Sequence, residues 1–523
     1  MLFNSYQFIF GFLPVCLIGY QLLGRWHEHE RVLWLLIASI FFYGWWSLHS
    51  IWILIVSILF NYLAGAIILT YRRRKNLWVA QLALICAIIG DLLGLGIFKY
   101  TDFFIANINW LAGSSIPVSG IVLPIGISFF TFTQIAYLVD VWRDSAPDYK
   151  LTRYGLFVSY FPHLIAGPIL HHAQMMPQFD RMGKEKLRPE HLAAGCLYFV
   201  FGLAKKVLIA DSFAEYATPV FDAARDGHAM LFGTAWLGAL AYTFQLYFDF
   251  SGYCDMAIGM SRMLGIELPI NFNSPYKSYN IIDFWRRWHI TLSSFLRDYV
   301  YFPLGGNRRG SVRRYLNLIA TMLIGGLWHG ANWTFVFWGG LHGIYLIINH
   351  LWIAYRKRRQ VLDPSRLITV SRPLNLFFAR SLTFVAVVIG WVFFRAETFP
   401  AALNVLGGML GLNGISLPPW AASAGRPLAK FFGEENVRLD GIFTGVSIGD
   451  GRFAIVLLAF GFLLVCLPNV SQCVSALMVG EAIVARRRFI VRLDWQLGLA
   501  TGLLFCICMV YLKANSEFLY FQF

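Results

Sequence analysis

The chain has 523 residues, 58% of them hydrophobic and only 14% charged, where a soluble globular domain carries about 25% charged residues. With a mean hydropathy of +0.59, this balance excludes a disordered chain, a secreted disulfide scaffold and a soluble enzyme, and it predicts a polytopic membrane protein. The formal charge is +15, from 43 Lys and Arg against 28 Asp and Glu, and aromatic residues reach 17%, which suits rings placed at membrane interfaces.

A spanning helix needs about 20 mostly apolar residues. The first run, MLFNSYQFIFGFLPVCLIGYQLL, has neither a basic leading region nor an AxA-like cleavage site, so it is expected to be a retained first helix. In chain order, apolar runs lie near 5–23, 32–47, 50–70, 77–97, 121–141, 195–213, 230–250, 313–327, 333–353, 378–395, 452–468 and 494–512. Two further runs, 154–170 and 252–268, are broken by Gly and Pro and are expected to be re-entrant, a geometry allowed at membrane depth only where protein or a water-filled cavity satisfies the backbone. Together they predict an all-α polytopic membrane protein with about eleven to fourteen membrane segments.

Basic clusters set the expected orientation. Arg72-Arg73-Arg74-Lys75, Arg356-Lys357-Arg358-Arg359 and Arg486-Arg487-Arg488 each border an apolar run and are assigned to the cytoplasm. Both termini, and the polar stretch 412–450, then fall outside. The charge excess suits loops facing anionic lipid, so the bilayer is an expected partner and nucleic acid is not. There is no GxGxxG, Walker A or HExxH match and no CxxC pair among the eight cysteines. No metal site is therefore expected, and the cysteines read as small apolar packing residues. Gly445-Val446-Ser447-Ile448-Gly449 fits GxSxG but lies in the polar stretch with no later His, so it is not a nucleophile elbow.

Ionisable residues inside apolar segments are costly and mark functional candidates. They concentrate in 283–343. The stretch DFWRRWHITLSSFLRDYVYFPLGGN carries Asp283, Arg286, Arg287, His289, Arg297 and Asp298 among Trp285, Trp288, Phe295 and Tyr299. Helical spacing predicts one aromatic and one charged face, as in a helix lying on a membrane surface. LIATMLIGGLWHGANWTFVFWGGLHG follows, with His329 beside Trp328 and Gly330, and His342 in a similar Leu-His-Gly setting. A neutral imidazole can take a proton from a hydroxyl near neutral pH. A buried His is otherwise a satisfied core residue, and both readings apply to His329 and His342. Asp249, Ser251 and Asp255 in YFDFSGYCDMAIG, His163 in FPHLIAGPIL, and Asn271 and Asn273 before Pro275 are weaker candidates, each able to line a polar cavity or to satisfy loop backbone.

These motifs carry a resemblance. LPIGISFFTF (123–132), FPHLIAGPI (161–169), AYTFQLYFDFSGYCDMAIG (241–259), NFNSPY (271–276), FWRRWHITLSSFLRDYVYFPLGGN (284–307) and GGLWHGANWTFVFWGGLHG (325–343) resemble the membrane-bound O-acyltransferase family. The likeness is to its bacterial branch of alginate O-acetyltransferase membrane subunits and D-alanyl-lipoteichoic acid transfer proteins, and the closing FLYFQF favours the alginate side. The resemblance implies a single integral membrane domain over 1–523, with the motifs in 1–400 and C-terminal helices in 401–523. Its fold would be a ring of helices around a thinned central funnel in a bacterial inner membrane.

It implies His329 and His289 as the catalytic pair: His329 as general base, His289 orienting it, binding donor or stabilising an oxyanion. Arg286 and Arg287 become candidate holders of donor phosphates, with interface anchoring as the alternative. Trp328, Asn332, Asp249 and Ser251 are candidate substrate- or donor-binding residues. The donor would be acetyl-CoA or a carrier loaded from it, with no bound cofactor. The acceptor would be an extracytoplasmic polysaccharide, alginate-like before cellulose, peptidoglycan or teichoic acid, reached directly or through a periplasmic partner transferase of a polysaccharide-secretion system. The competing readings are a transporter or channel for an acylated intermediate, and an assembly scaffold.

Overall fold

Short polar side chains start the early helices. Ser47 accepts from the Ser50 amide at 3.3 Å at the head of Leu48–Arg73, and Asn76 accepts from Val79 at 3.3 Å at the head of Leu77–Leu95, each satisfying an amide that has no partner within its helix. The turn between these helices is the first basic cluster, with Lys75 at φ 58°. In this computed structural model the described residues are 1–23, 28–143, 150–182, 188–362, 372–416, 437–438, 451–479, 495–512 and 518–519. The third basic cluster, the GxSxG match, most of the stretch 412–450 and most of the closing FLYFQF lie outside them.

Among the described residues the chain is helical but for turns, loops and one two-residue parallel pair, Ile415–Ser416 with Val437–Arg438. Among the described residues five helices are long and apolar enough to cross a membrane: Leu48–Arg73, Leu77–Ala112, Pro189–Arg225, Trp333–Arg359 and Pro373–Arg395. Five shorter apolar helices are Gln7–Leu23, Ile127–Trp142, Phe399–Met409, Gly451–Cys466 and Trp495–Val510.

The chain divides into two compact units. The first comprises 1–204, 251–271 and 470–523, the second 205–250 and 272–469. In the first unit Phe3, Phe8, Phe12, Phe42 and Phe161 form a ring cluster with centroids 5.0–6.4 Å apart. Its polar groups pair across helices, as buried polar groups in an apolar medium must. Asn61 donates to Asp91 at 2.8 Å, Gln134 to Ser57 at 2.7 Å, and Tyr154 to Gln134 at 3.2 Å. The apolar run at 121–141 becomes helical only from Ile127. Gly126 precedes it at φ 74°, and a Cβ there would meet the Leu164 carbonyl oxygen at 2.6 Å.

The expectation for 252–268 is corrected. No break occurs at Gly252 or Gly259: one helix runs Phe232–Met263, its residues to Phe250 in the second unit and those from Ser251 in the first, and the chain turns only at Gly265, at φ 75°. Gly252 and Gly259 serve close packing instead. A Cβ on Gly202 would meet the Gly252 oxygen at 2.6 Å, and one on Gly195 the Gly259 oxygen at 2.7 Å. Glycine lets membrane helices bring their backbones together, so the residues that read as helix breakers mark a contact.

In the second unit the helices Gly310–His329 and Trp333–Leu362 form a tight hairpin. Gly326 and Gly339 sit where they touch: a Cβ on the first would run into the Phe335 carbonyl oxygen, and one on the second into that of Met322. Asn332, in the turn between them, accepts from the Thr334 amide at 3.0 Å and donates to the Glu397 carbonyl at 2.8 Å, tying the turn to the segment after Arg372–Arg395. Gly461, on Gly451–Cys466, gives room to Phe213 and Phe244.

Candidate active site

The stretch expected to be one amphipathic helix is broken at His289. Asn280 caps Ile281–Trp285 by accepting from the Asp283 amide at 2.8 Å. That helix stops, and His289 takes φ 43° and ψ 55° before Ile290–Phe295 begins. The left-handed region costs a non-glycine residue roughly 1–3 kcal/mol and persists where the surroundings over-determine it.

Here the residues just before His289 are clamped. The Asn273 amide donates to the Arg287 carbonyl at 2.9 Å, and Arg287 pairs through Nε with Asp283 at 2.9 Å. Trp288 is wedged against Phe272 and Trp391, centroids 5.0 and 4.8 Å away. The reversal leaves it fully buried against Phe250, 4.9 Å away edge to face.

His329 ends its helix and turns at Gly330 into the hairpin. It is 4% exposed. Trp328, Trp338 and Phe394 surround it at 5.0, 5.2 and 5.1 Å, all edge to face. The centroids of His289 and His329 are 6.4 Å apart, with Trp328 within 6.1 Å of the former. All these residues lie in the second unit. His289 lies outside the spanning helices, and burial away from water pushes its pKa well below the ordinary imidazole value, so its ring is neutral at physiological pH. Two buried imidazoles inside an aromatic wall can accept, hold or pass a proton while water is kept away.

The other candidates are placed as follows. Arg286 is exposed. Arg287 is engaged by Asp283 and also donates to the Asn273 carbonyl at 3.4 Å. Asp249 is buried in an ion pair with Lys206 at 2.8 Å, and Lys206 also holds Asp211 at 2.8 Å. The residue after Asp249 is Phe250, which packs on His289. Asn332 braces the hairpin. Ser251 and Asp255 are buried in the first unit.

His163, also there, bonds through Nε2 to the Phe157 carbonyl at 3.0 Å as a satisfied core residue. Asn271 contacts Cys254 Sγ at 3.5 Å, and all eight cysteines are free thiols. Among the described residues no three His, Cys, Asp or Glu side chains gather as a metal site would need. The chemistry-first reading of the sequence missed the wall: Phe250, Phe272, Trp338, Trp391 and Phe394. Apolar residues in apolar helices carry no signal there; only the density of Trp around the histidines hinted at it.

Comparison with known proteins bears on this arrangement. Residues 130–389 match the MBOAT, membrane-bound O-acyltransferase family, a span that contains both histidines. The chain is 40% identical to a peptidoglycan O-acetyltransferase of Helicobacter pylori, over 100% of this chain and 98% of that protein. It is 43% identical to a probable alginate O-acetylase of Pseudomonas aeruginosa, over 79% of this chain and 75% of that protein. A teichoic acid D-alanyltransferase of Streptococcus thermophilus is 28% identical over 45% of this chain and 58% of its own length.

Proposed function

The chain belongs to the membrane-bound O-acyltransferase family, and from that premise we propose that it moves an acetyl group from a cytoplasmic donor to a hydroxyl of a cell-envelope polysaccharide, with His289 and His329 as the reacting pair. The observation that carries this reading is their closeness: two buried imidazoles at 6.4 Å inside one aromatic wall. His329 takes the proton of the acceptor hydroxyl, or of a partner transferase's serine, as that oxygen attacks the acetyl carbonyl; the donor's sulfur leaves. General-base assistance of this kind contributes typically about 10²–10⁴-fold. His289, neutral, orients that base or donates to the developing oxyanion.

Acetyl-CoA is the proposed donor, with exposed Arg286 the candidate for its phosphates. The proposed location is a bacterial inner membrane with both termini outside. The clusters 72–75 and 356–359 support this orientation, since each ends a spanning helix as cytoplasmic basic clusters do. For the acceptor, similarity over the whole length to the peptidoglycan O-acetyltransferase supports peptidoglycan. The alginate O-acetylase relatives, at higher identity over a shorter span, keep an alginate-like polymer as the second reading. Transfer then runs directly or through a periplasmic partner.

The test is reconstitution of the full-length protein in vesicles with acetyl-labelled CoA, a periplasmic extract, and either peptidoglycan or alginate outside. Base-labile acetate on one polymer, lost in His329→Ala, is the expected result. Acetyl passage that does not need His329 would instead mark a transporter.

A further inference from the structure

A third buried histidine of the second unit takes no part in the proposed transfer. His342 lies on Trp333–Leu362, one turn after Trp338, and is fully buried. Its Nδ1 accepts from Trp285 Nε1 at 3.3 Å. A neutral imidazole that accepts at Nδ1 carries its proton on Nε2, so this bond selects the tautomer. Nε2 itself has no partner among the described residues, which leaves the bond to Trp285 as the ring's polar tie there. An apolar residue would pack in this place without the penalty of burying an imidazole in a membrane protein, so that tie is what the imidazole adds.

Each end of the tie leads to one of the catalytic candidates. Trp285 closes the helix Ile281–Trp285, which runs into the clamped turn bearing His289. On the other side, the His342 ring packs on Trp338 at 5.0 Å, and Trp338 walls His329 at 5.2 Å. Trp338 also touches Trp285 at 5.8 Å. The remaining side is closed by Arg372–Arg395: a Cβ on its Gly390 would stand 2.8 Å from His342 Nε2 and 3.5 Å from Trp338 Cδ1. The ring is held between two helices and the short helix Ile281–Trp285, whose Phe284 also packs on it at 6.1 Å.

We infer that His342 is a positioning residue of the acyl-transfer site: by accepting from Trp285 it sets the separation of His289 and His329 without touching the reacting atoms. This rests on the reading of those two histidines as the catalytic pair. Displacing a reacting group by about 1 Å can cost up to about a hundredfold in rate, and a loosened Ile281–Trp285 helix would displace His289.

The test uses the shapes of two amides. Asn places its carbonyl oxygen near the position of imidazole Nδ1, and Gln places its own near Nε2. In the full-length protein, His342→Ala and His342→Gln are expected to lower kcat between about ten- and a hundredfold, with KM for acetyl-CoA unchanged. His342→Asn is expected to recover most of the rate with the wild-type pH profile, since no proton moves at this position. Trp285→Phe, which removes the donor and keeps the ring packing, is expected to reproduce the kcat loss, and it decides the matter if the histidine variants do not fold. A wild-type kcat in His342→Ala or in Trp285→Phe overturns the inference, as does His342→Asn no faster than His342→Ala at equal thermal stability. If transfer proceeds without His329, the reading of the catalytic pair has failed; if it needs His329 but not the Trp285–His342 bond, only this inference has.

Discussion

His289 and His329 reach a centroid separation of 6.4 Å because His289 sits in the left-handed region, at φ 43°, between two short helices. Strain of this type collects at functional sites, and here it accompanies a fully buried imidazole.

His329→Ala is expected to reduce acetyl transfer by about 10²–10⁴-fold. Expression and thermal unfolding of the purified protein should stay near wild type. Rates from labelled acetyl-CoA check this, and a variant that still transfers at the wild-type rate removes His329 from the chemistry.

The pH profile tests the protonation state of His289. Burial lowers the pKa of His289, so it remains neutral as pH falls through the ordinary imidazole value, and its protonation limb lies further to the acid side. His289→Asn should therefore transfer more slowly but keep the wild-type profile shape between about pH 5 and 8. An acid limb that vanishes in the Asn variant would show that His289 does titrate in that window.

Gly326→Ala and Gly339→Ala each drive a methyl into a backbone carbonyl of the facing helix, that of Phe335 or Met322. Overpacking costs about 1–3 kcal/mol, and an obstacle of backbone rather than side chain puts these at the upper end. Thermal melts in detergent should fall for both, with activity lost in step because the hairpin carries His329 and Trp338. Gly11, where nothing lies near an added Cβ, serves as the neutral control.

Lys206→Met leaves Asp249 and Asp211 without their shared cation. Breaking a buried pair from one side costs about 3–5 kcal/mol. The double variant Lys206→Met/Asp249→Asn should be more stable than the sum of the two singles predicts. Unfolding measured across the four proteins of the cycle gives the coupling, and strict additivity would show that the pair contributes little.

Composition and hydropathy made the membrane class legible, because apolar runs must match the bilayer thickness whatever their neighbours do. The stretch 283–343 was legible as the candidate site, because there histidines and charges are interleaved with Trp and Gly inside apolar runs. Less legible was the use of glycine. Gly252 and Gly259 read as breaks, yet they lie inside one helix, since a glycine's meaning depends on whether another backbone stands opposite. Arg287 read as a donor-phosphate candidate or an interface anchor; its link to Asp283 runs along the chain and could be guessed, but the tie to Asn273 could not.

What the sequence by itself determined is the class and the family, and it singled out two histidines as candidates, because these rest on composition and on residue patterns that survive without coordinates. What only the tertiary structure decided is how the histidines meet. The packing of Phe250 on His289, that of Phe394 on His329, and the Trp285–His342 bond all join residues far apart in the chain. Periodicity assigns a residue to a face of its own helix. It cannot say that the helix stops at His289, because the clamp that stops it comes from Asn273, Phe272 and Trp391 on other segments.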